Sequence, residues 1–195
     1  MPATSIESLL TELAHFLTAT FAAVDAWFDQ PAALLAHPPA DQGWTGAEIL
    51  NHIGLTNHYL LILIEKGTAK ALLNTQGRQL SEELATLSFP PPRLADVGVL
   101  NSFTWARPEH MEPRDHPRPL PEVRQLLHEQ LAQVLRCLHQ LAGGQGLLHY
   151  TTMSVNGLGK LNVYEYMYFL GQHAQRHLMQ LRENAAEYAA ATQSS

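Results

Sequence analysis

The sequence predicts an all-α fold: a four-helix bundle running up-down-down-up, with a long crossover between its second and third helices. Three observations lead there. Apolar residues recur at three- and four-residue spacing in four separate segments, the period of an amphipathic helix. Strand signals are weak throughout. Between the second and third helical segments, residues 69–120 hold Pro90, Pro91, Pro92, Pro108, Pro113, Pro117 and Pro119 and no long periodic run.

The first helix is expected from Ser5 to about Gln30, where Leu9, Leu13, Phe16, Leu17, Phe21 and Val24 follow one face. Thr4 with Glu7 has the spacing of a capping box, and Pro31 follows the end. The second is expected from Gly46 to about Lys66, capped by Thr45 with Glu48, with Gly67 in the place of a C-cap glycine. Its inward line is Ile49, His52, Ile53, Thr56, Tyr59, Leu60 and Leu63. The third starts near Pro121, a residue welcome in a first turn, and carries Val123, Leu127, Leu131, Val134, Leu138 and Leu141 up to Gly143 and Gly144. The fourth opens on Asn162 as N-cap with Glu165 behind it, and buries Tyr164, Met167, Tyr168, Ala174, Leu178 and Leu181.

Bundle helices of about twenty residues span roughly 30 Å. Loops as long as 69–120 are uncommon unless function or topology needs them. If helices two and three run parallel, the chain must travel back along the whole bundle between them, which gives the crossover its reason. Ser81-Glu82-Glu83-Leu84 reads as a short helical turn within it, and residues 189–195 as a frayed tail.

One domain over residues 1–195 suits this length. Lys and Arg total 12 against 18 Asp and Glu, a formal charge of −6 with no basic stripe, so nucleic acid is not an expected partner. Apolar runs such as Tyr59 to Ile64 are too short to span a bilayer, and the first residues lack a secretory pattern. Cys137 is the only cysteine and can form no internal disulfide. A cytoplasmic protein without membrane contact fits these features.

His173 and His177 stand four residues apart within the fourth helical segment, one turn apart on one face. His177 points toward the core and His173 borders it. Burying two imidazoles side by side without a shared partner is costly, and a divalent cation is such a partner. His52, on the apolar stripe of the second helix, supplies a third ligand. Three histidines leave positions for water or substrate, as in a working rather than a structural centre. Taken alone, His52 reads rather as a core residue satisfied by a hydrogen bond, and His173 with His177 as an ordinary exposed pair; the three together shift the balance to a common site.

Other histidines lose this comparison: His58 faces away from His52, His15 lies on a polar side, and His128 and His139 are too far apart to share one ion. His110 and His116 read as solvated crossover residues, although His110, His116 or Glu112 would complete a four-ligand structural site. Glu48, one turn before His52, is a candidate for orienting a ligand or accepting a proton, set against its capping-box role. Gln180 is a candidate for bonding a ligand histidine, set against a surface glutamine. Tyr59, Tyr164 and Tyr168 line a pocket or simply fill the core.

Three segments together resemble the DinB-like (DinB/YfiT) superfamily: Trp44-Thr45-Gly46-Ala47-Glu48-Ile49-Leu50-Asn51-His52-Ile53, then Gly159 through Glu165, then His173-Ala174-Gln175-Arg176-His177-Leu178-Met179-Gln180. Their order and placement match from the first helix to about Glu183. The resemblance implies an up-down-down-up bundle, homodimers, and a divalent metal, zinc or nickel, on His52, His173 and His177. It also implies the chemistry of thiol-dependent S-transferases and isomerases, in which a low-molecular-weight thiol acts on a small-molecule substrate. No motif in the chain identifies a thiol. Hydrolysis by an activated water remains the other catalytic reading, and a non-catalytic metal that stabilises the bundle the alternative to both.

Overall fold

The computed structural model describes residues 5–74, 80, 83, 89–104 and 108–193. The described chain is mostly helical. Helix α1 spans Ile6–Asp25 and passes into a 3-10 turn, Ala26–Asp29; α2 is the short Ala32–Leu35; α3 is Gly46–Leu73; α4 is Leu120–Gln140; and α5 is Val163–Gln193. One antiparallel hairpin, β1 (Tyr150–Met153) and β2 (Gly159–Asn162), precedes α5, with Tyr150 opposite Asn162 and Met153 opposite Gly159.

Each long helix buries most of the face its spacing marks, but Leu63, expected on the inward line of α3, is exposed at the cavity instead. Leu9, Leu13, Leu17, Phe21 and Val24 of α1 meet α4 and α5. Val123, Leu127, Val134 and Leu138 of α4 meet α1 and α3. Ile49, Ile53, Leu60 and Ile64 of α3 join the same continuous core as Met167, Ala174, Leu178 and Leu181 of α5. Burial of one such aliphatic side chain contributes about 1.5–3 kcal/mol before chain entropy is charged against it.

The helix ends correct several expectations. Ser5, not Thr4, caps α1, its side chain accepting from Ser8 N; Thr4 lies outside the described residues. Gly67 does not end α3. The helix continues through it to Leu73 and is capped by Asn74, because Gly67 is buried where α5 closes on α3: a Cβ there would sit 3.2 Å from Val163 Cγ2. Asn162 does cap α5, in a reciprocal box where Glu165 N donates to Asn162 Oδ1 at 3.0 Å and Asn162 N to Glu165 Oε2 at 2.8 Å. Residues 189–193, expected to fray, continue α5. The hairpin was not anticipated; strands of four residues are too short to show a period-two pattern.

The described part of the crossover is structured rather than a solvated loop. It contains the 3-10 turns Pro92–Gly98, Glu109–Met111 and Pro113–Asp115, and Leu94 and Val97 are buried, with the first turn packed on α5. The turn expected at Ser81-Glu82-Glu83-Leu84 lies outside the described residues except for Glu83. The stretch Ile6–Asp29 is long and apolar enough to cross a membrane by length and composition, with a mean hydropathy of 1.2, a property that run length alone did not reveal. A core helix meets the same test, and here the apolar stripe of α1 faces the other helices.

Candidate metal centre

His52 rises from α3 and His173 and His177 from α5, and their ligand nitrogens lie within 4.8 Å of one another. All three rings are buried. The ring centroids are 4.5 Å apart for His173 and His177, 4.8 Å for His52 and His177, and 5.3 Å for His52 and His173. Among the described residues no fourth histidine, cysteine, aspartate or glutamate joins them.

Hydrogen bonds set the tautomers of two rings. His52 Nδ1 lies 2.9 Å from the carbonyl oxygen of Met111. A carbonyl only accepts, so Nδ1 carries the proton and the lone pair sits on Nε2, 3.3 Å from Thr56 Oγ1. His177 Nδ1 likewise donates to Gln180 Oε1 at 3.0 Å, which turns its Nε2 toward His173 Nε2, 3.1 Å away. Two imidazole nitrogens this close need a proton or a cation between them. Burial, and then the neighbouring imidazoles, push the His173 pKa well below its usual range. Burial, reinforced by His52 and opposed by the Gln180 hydrogen bond, pushes His177 down to about 3. Both rings are therefore neutral near pH 7, the ligand form.

The donor set fits a divalent cation. Nitrogens bound to one tetrahedral ion at about 2.1 Å each lie at most roughly 3.4–3.5 Å apart. The His173–His177 pair, at 3.1 Å, is inside that limit. At the 4.8 Å outer limit of the group, the rings must close by roughly 1–1.5 Å to share one tetrahedral ion.

The cluster faces a cavity of about 1080 Å³ whose walls come from the 39–44 loop, α3, the crossover, the hairpin and α5. The Trp44 ring lies over His52 at 4.4 Å, held by its Nε1 donating to Glu112 Oε1 at 3.0 Å and by Asn184 Nδ2 donating to its carbonyl at 2.8 Å. Tyr59 lines the cavity beside Leu60, its ring 4.6 Å from that of exposed His110. Tyr164 is buried instead, its hydroxyl donating to Leu141 O at 2.6 Å. Tyr168 is also core, stacked on Phe16 at 4.8 Å.

Glu48 forms its capping box: Thr45 N donates to Oε2 at 2.8 Å, and Glu48 N donates to Thr45 Oγ1 at 3.2 Å. Its Oε1 also accepts from Arg114 Nε at 2.9 Å. Burial raises the Glu48 pKa, but the bonds from Arg114 and Thr45 together outweigh it and the net shift is downward. The carboxylate is not among the groups lining the cavity.

Three contributors to the site escaped the sequence reading, and a fourth, Glu112, was weighed only as a metal ligand. Met111 acts through its carbonyl, which no side-chain pattern reports. Glu112 holds Trp44, a contact between segments far apart in the chain. Arg176 and Asn184 were legible: with His173, His177 and Gln180 they fall at helical spacing on one face of α5, and all five line the cavity.

A helical fold with three buried imidazoles converging at the wall of an open cavity defines a class of protein compatible with metal binding. The chain belongs to the DinB superfamily, which it matches over residues 15–181. No curated protein and no solved structure matches it.

Proposed function

We propose that this protein is a metal-dependent enzyme of the transferase or hydrolase type. A divalent cation would be held by His52, His173 and His177 and presented to a small molecule in the adjoining cavity. One observation carries the reading: three buried imidazoles, two with Nδ1 already bonded elsewhere, meet at the wall of a cavity of about 1080 Å³. Structural zinc usually takes four protein ligands, whereas three leave a position for an exogenous one.

When bound, the cation supplies Lewis acidity that brings the pKa of a water or a thiol toward neutrality. The protein's own groups then do the positioning. Met111 O and Gln180 Oε1 fix the orientation of His52 and His177. Trp44 covers His52 and keeps bulk water from that side. Tyr59, Leu60, Met153 and Phe169 offer an apolar wall for the carbon frame of an electrophile. Glu48 is assigned to holding Arg114, whose Nη2 also donates to Gly43 O at 2.7 Å, and not to proton transfer.

Zinc and nickel are the ions proposed, a low-molecular-weight thiol the favoured nucleophile, and a cytoplasmic homodimer the working form. The same reading takes residues 1–195 as one domain in which α1, α3, α4 and α5 make an up-down-down-up bundle. A non-catalytic alternative has its own support: the His52–Met111 bond means that a cation would tie α3, α5 and the crossover together.

The test is metal loading followed by a screen of small thiols against electrophiles. Catalysis is supported if zinc- or nickel-loaded protein forms product and the His52→Ala variant does not. If the wild type takes up no stoichiometric metal, the reading fails. If metal removal greatly lowers the melting temperature while the loaded protein shows no exchangeable ligand and no turnover, the stabilising role replaces it.

A further inference from the structure

We infer that Thr56 is a positioning residue whose hydroxyl has two alternative acceptors: His52 Nε2, and a lone pair on the small molecule that reaches the histidines. The inference rests on the metal-site reading above and deepens it, because it selects the chemistry of that molecule's ligating atom. Thr56 stands one turn beyond His52 on α3, is buried, and lines the cavity. Its Oγ1 lies 3.3 Å from His52 Nε2. The Met111 carbonyl keeps the ring proton on Nδ1, so Nε2 accepts and the hydroxyl donates to it.

A lone pair given to a cation accepts no hydrogen bond, so the same nitrogen cannot serve as metal ligand and as acceptor for Thr56. With His52 acting as a ligand, the Thr56 hydrogen turns elsewhere. Its other contact is the Met111 thioether, with Sδ 3.9 Å away, a weak acceptor. An anionic oxygen or sulfur entering from the cavity is a much stronger one, since hydrogen bonds to charged groups are roughly twice as strong as neutral ones. Thr56 therefore favours a small molecule whose ligating atom keeps a second lone pair, as a thiolate sulfur or an oxyanion does. An imidazole nitrogen has a single lone pair and offers the hydroxyl nothing once that is used. The carboxylates on the cavity wall, Asp41, Glu112, Glu183 and Glu187, are acceptors and cannot take this part.

The experiment loads wild type, Thr56→Val and Thr56→Ser with cobalt and titrates each with azide, 2-mercaptoethanol and imidazole, read by visible absorption. Zinc affinity is measured alongside by competition with a chelating dye. Thr56→Val is expected to lower the affinity for azide and for mercaptoethanol, relative to imidazole, by at least about 10-fold, the difference between a charge-assisted hydrogen bond and a neutral one. Zinc affinity is expected to stay near the wild-type value, because the hydroxyl only exchanges one acceptor for another. Thr56→Ser keeps the donor and is expected to restore the preference. A preference unmoved in Thr56→Val overturns the inference and means that the hydroxyl turns back to the carbonyl of its own helix. A loss of zinc affinity together with equal losses for all three probes also overturns it, since that is the mark of packing alone. If the wild type takes up neither zinc nor cobalt, the metal reading fails and the inference falls with it. Normal uptake with an unchanged preference sinks the inference alone.

Discussion

At the scale of single residues, two of the three imidazoles have their second nitrogen already engaged. Met111 O and Gln180 Oε1 hold the Nδ1 atoms of His52 and His177 and so aim the Nε2 lone pairs inward. His173→Ala and His177→Ala are each expected to weaken zinc or nickel affinity by at least about 100-fold while leaving far-UV helicity intact. Full occupancy in either variant would remove that ligand. Gln180→Ala leaves all three ligands in place and is expected to cost about 10–100-fold in metal affinity, the usual effect of losing a group that orients a ligand. An unchanged binding isotherm would reduce Gln180 to a surface residue. The histidine pair was legible because four-residue spacing on an apolar face survives any detail of packing. The Met111 carbonyl was not, since it reaches His52 only through the path the crossover takes.

At the scale of elements, α3 and α4 show what periodicity delivers and what it omits. The apolar stripes of both were readable, but the end of α3 was misplaced because a glycine serves equally as a C-cap and as a point of close helix contact. Gly146 is the sharper case of close approach. A Cβ there would lie 2.6 Å from Tyr164 Cζ, and Tyr164 cannot swing aside without losing its 2.6 Å bond to Leu141 O. Gly146→Ala is expected to destabilise by about 1–3 kcal/mol in chemical unfolding, the usual cost of overpacking; a neutral result would mean the turn yields.

Between α1 and α4, Arg124 bridges Asp25 at 2.7 Å and Asp29 at 2.8 Å, and His128 adds a 2.7 Å contact to Asp25. The Arg124 hydrogen bond, opposed by burial and helped by His128, holds the Asp25 pKa at about 2, below its ordinary 3.8. The folded state therefore takes up this proton less readily than the unfolded chain. Its stabilising effect is complete above about pH 3.8 and is lost as pH falls toward 2. Asp25→Asn is expected to flatten the fall of unfolding midpoint across that window, and an unaltered slope would count against the bridge.

At the scale of the whole molecule, the crossover, α3 and α5 meet at one point, so a bound metal would link the site to global stability. An ion that binds the folded state alone at 100 times its Kd adds about 2.7 kcal/mol. For a chain of this size that is a rise in Tm of roughly 5–10 °C, absent when His52, His173 or His177 is replaced. The existence of a long non-periodic connection was legible from its prolines. The packing of its described turns was not, because single 3-10 turns such as Glu109–Met111 leave no periodic trace, yet those turns bring Met111 and Glu112 to the site. The most direct measurement is X-ray absorption at the edge of zinc or nickel added to the purified chain. Three imidazole nitrogens at about 2.0–2.1 Å plus an exchangeable lighter ligand are predicted, falling to two imidazoles in His52→Ala. A shell without imidazole, or one unaltered by that substitution, would contradict the assignment.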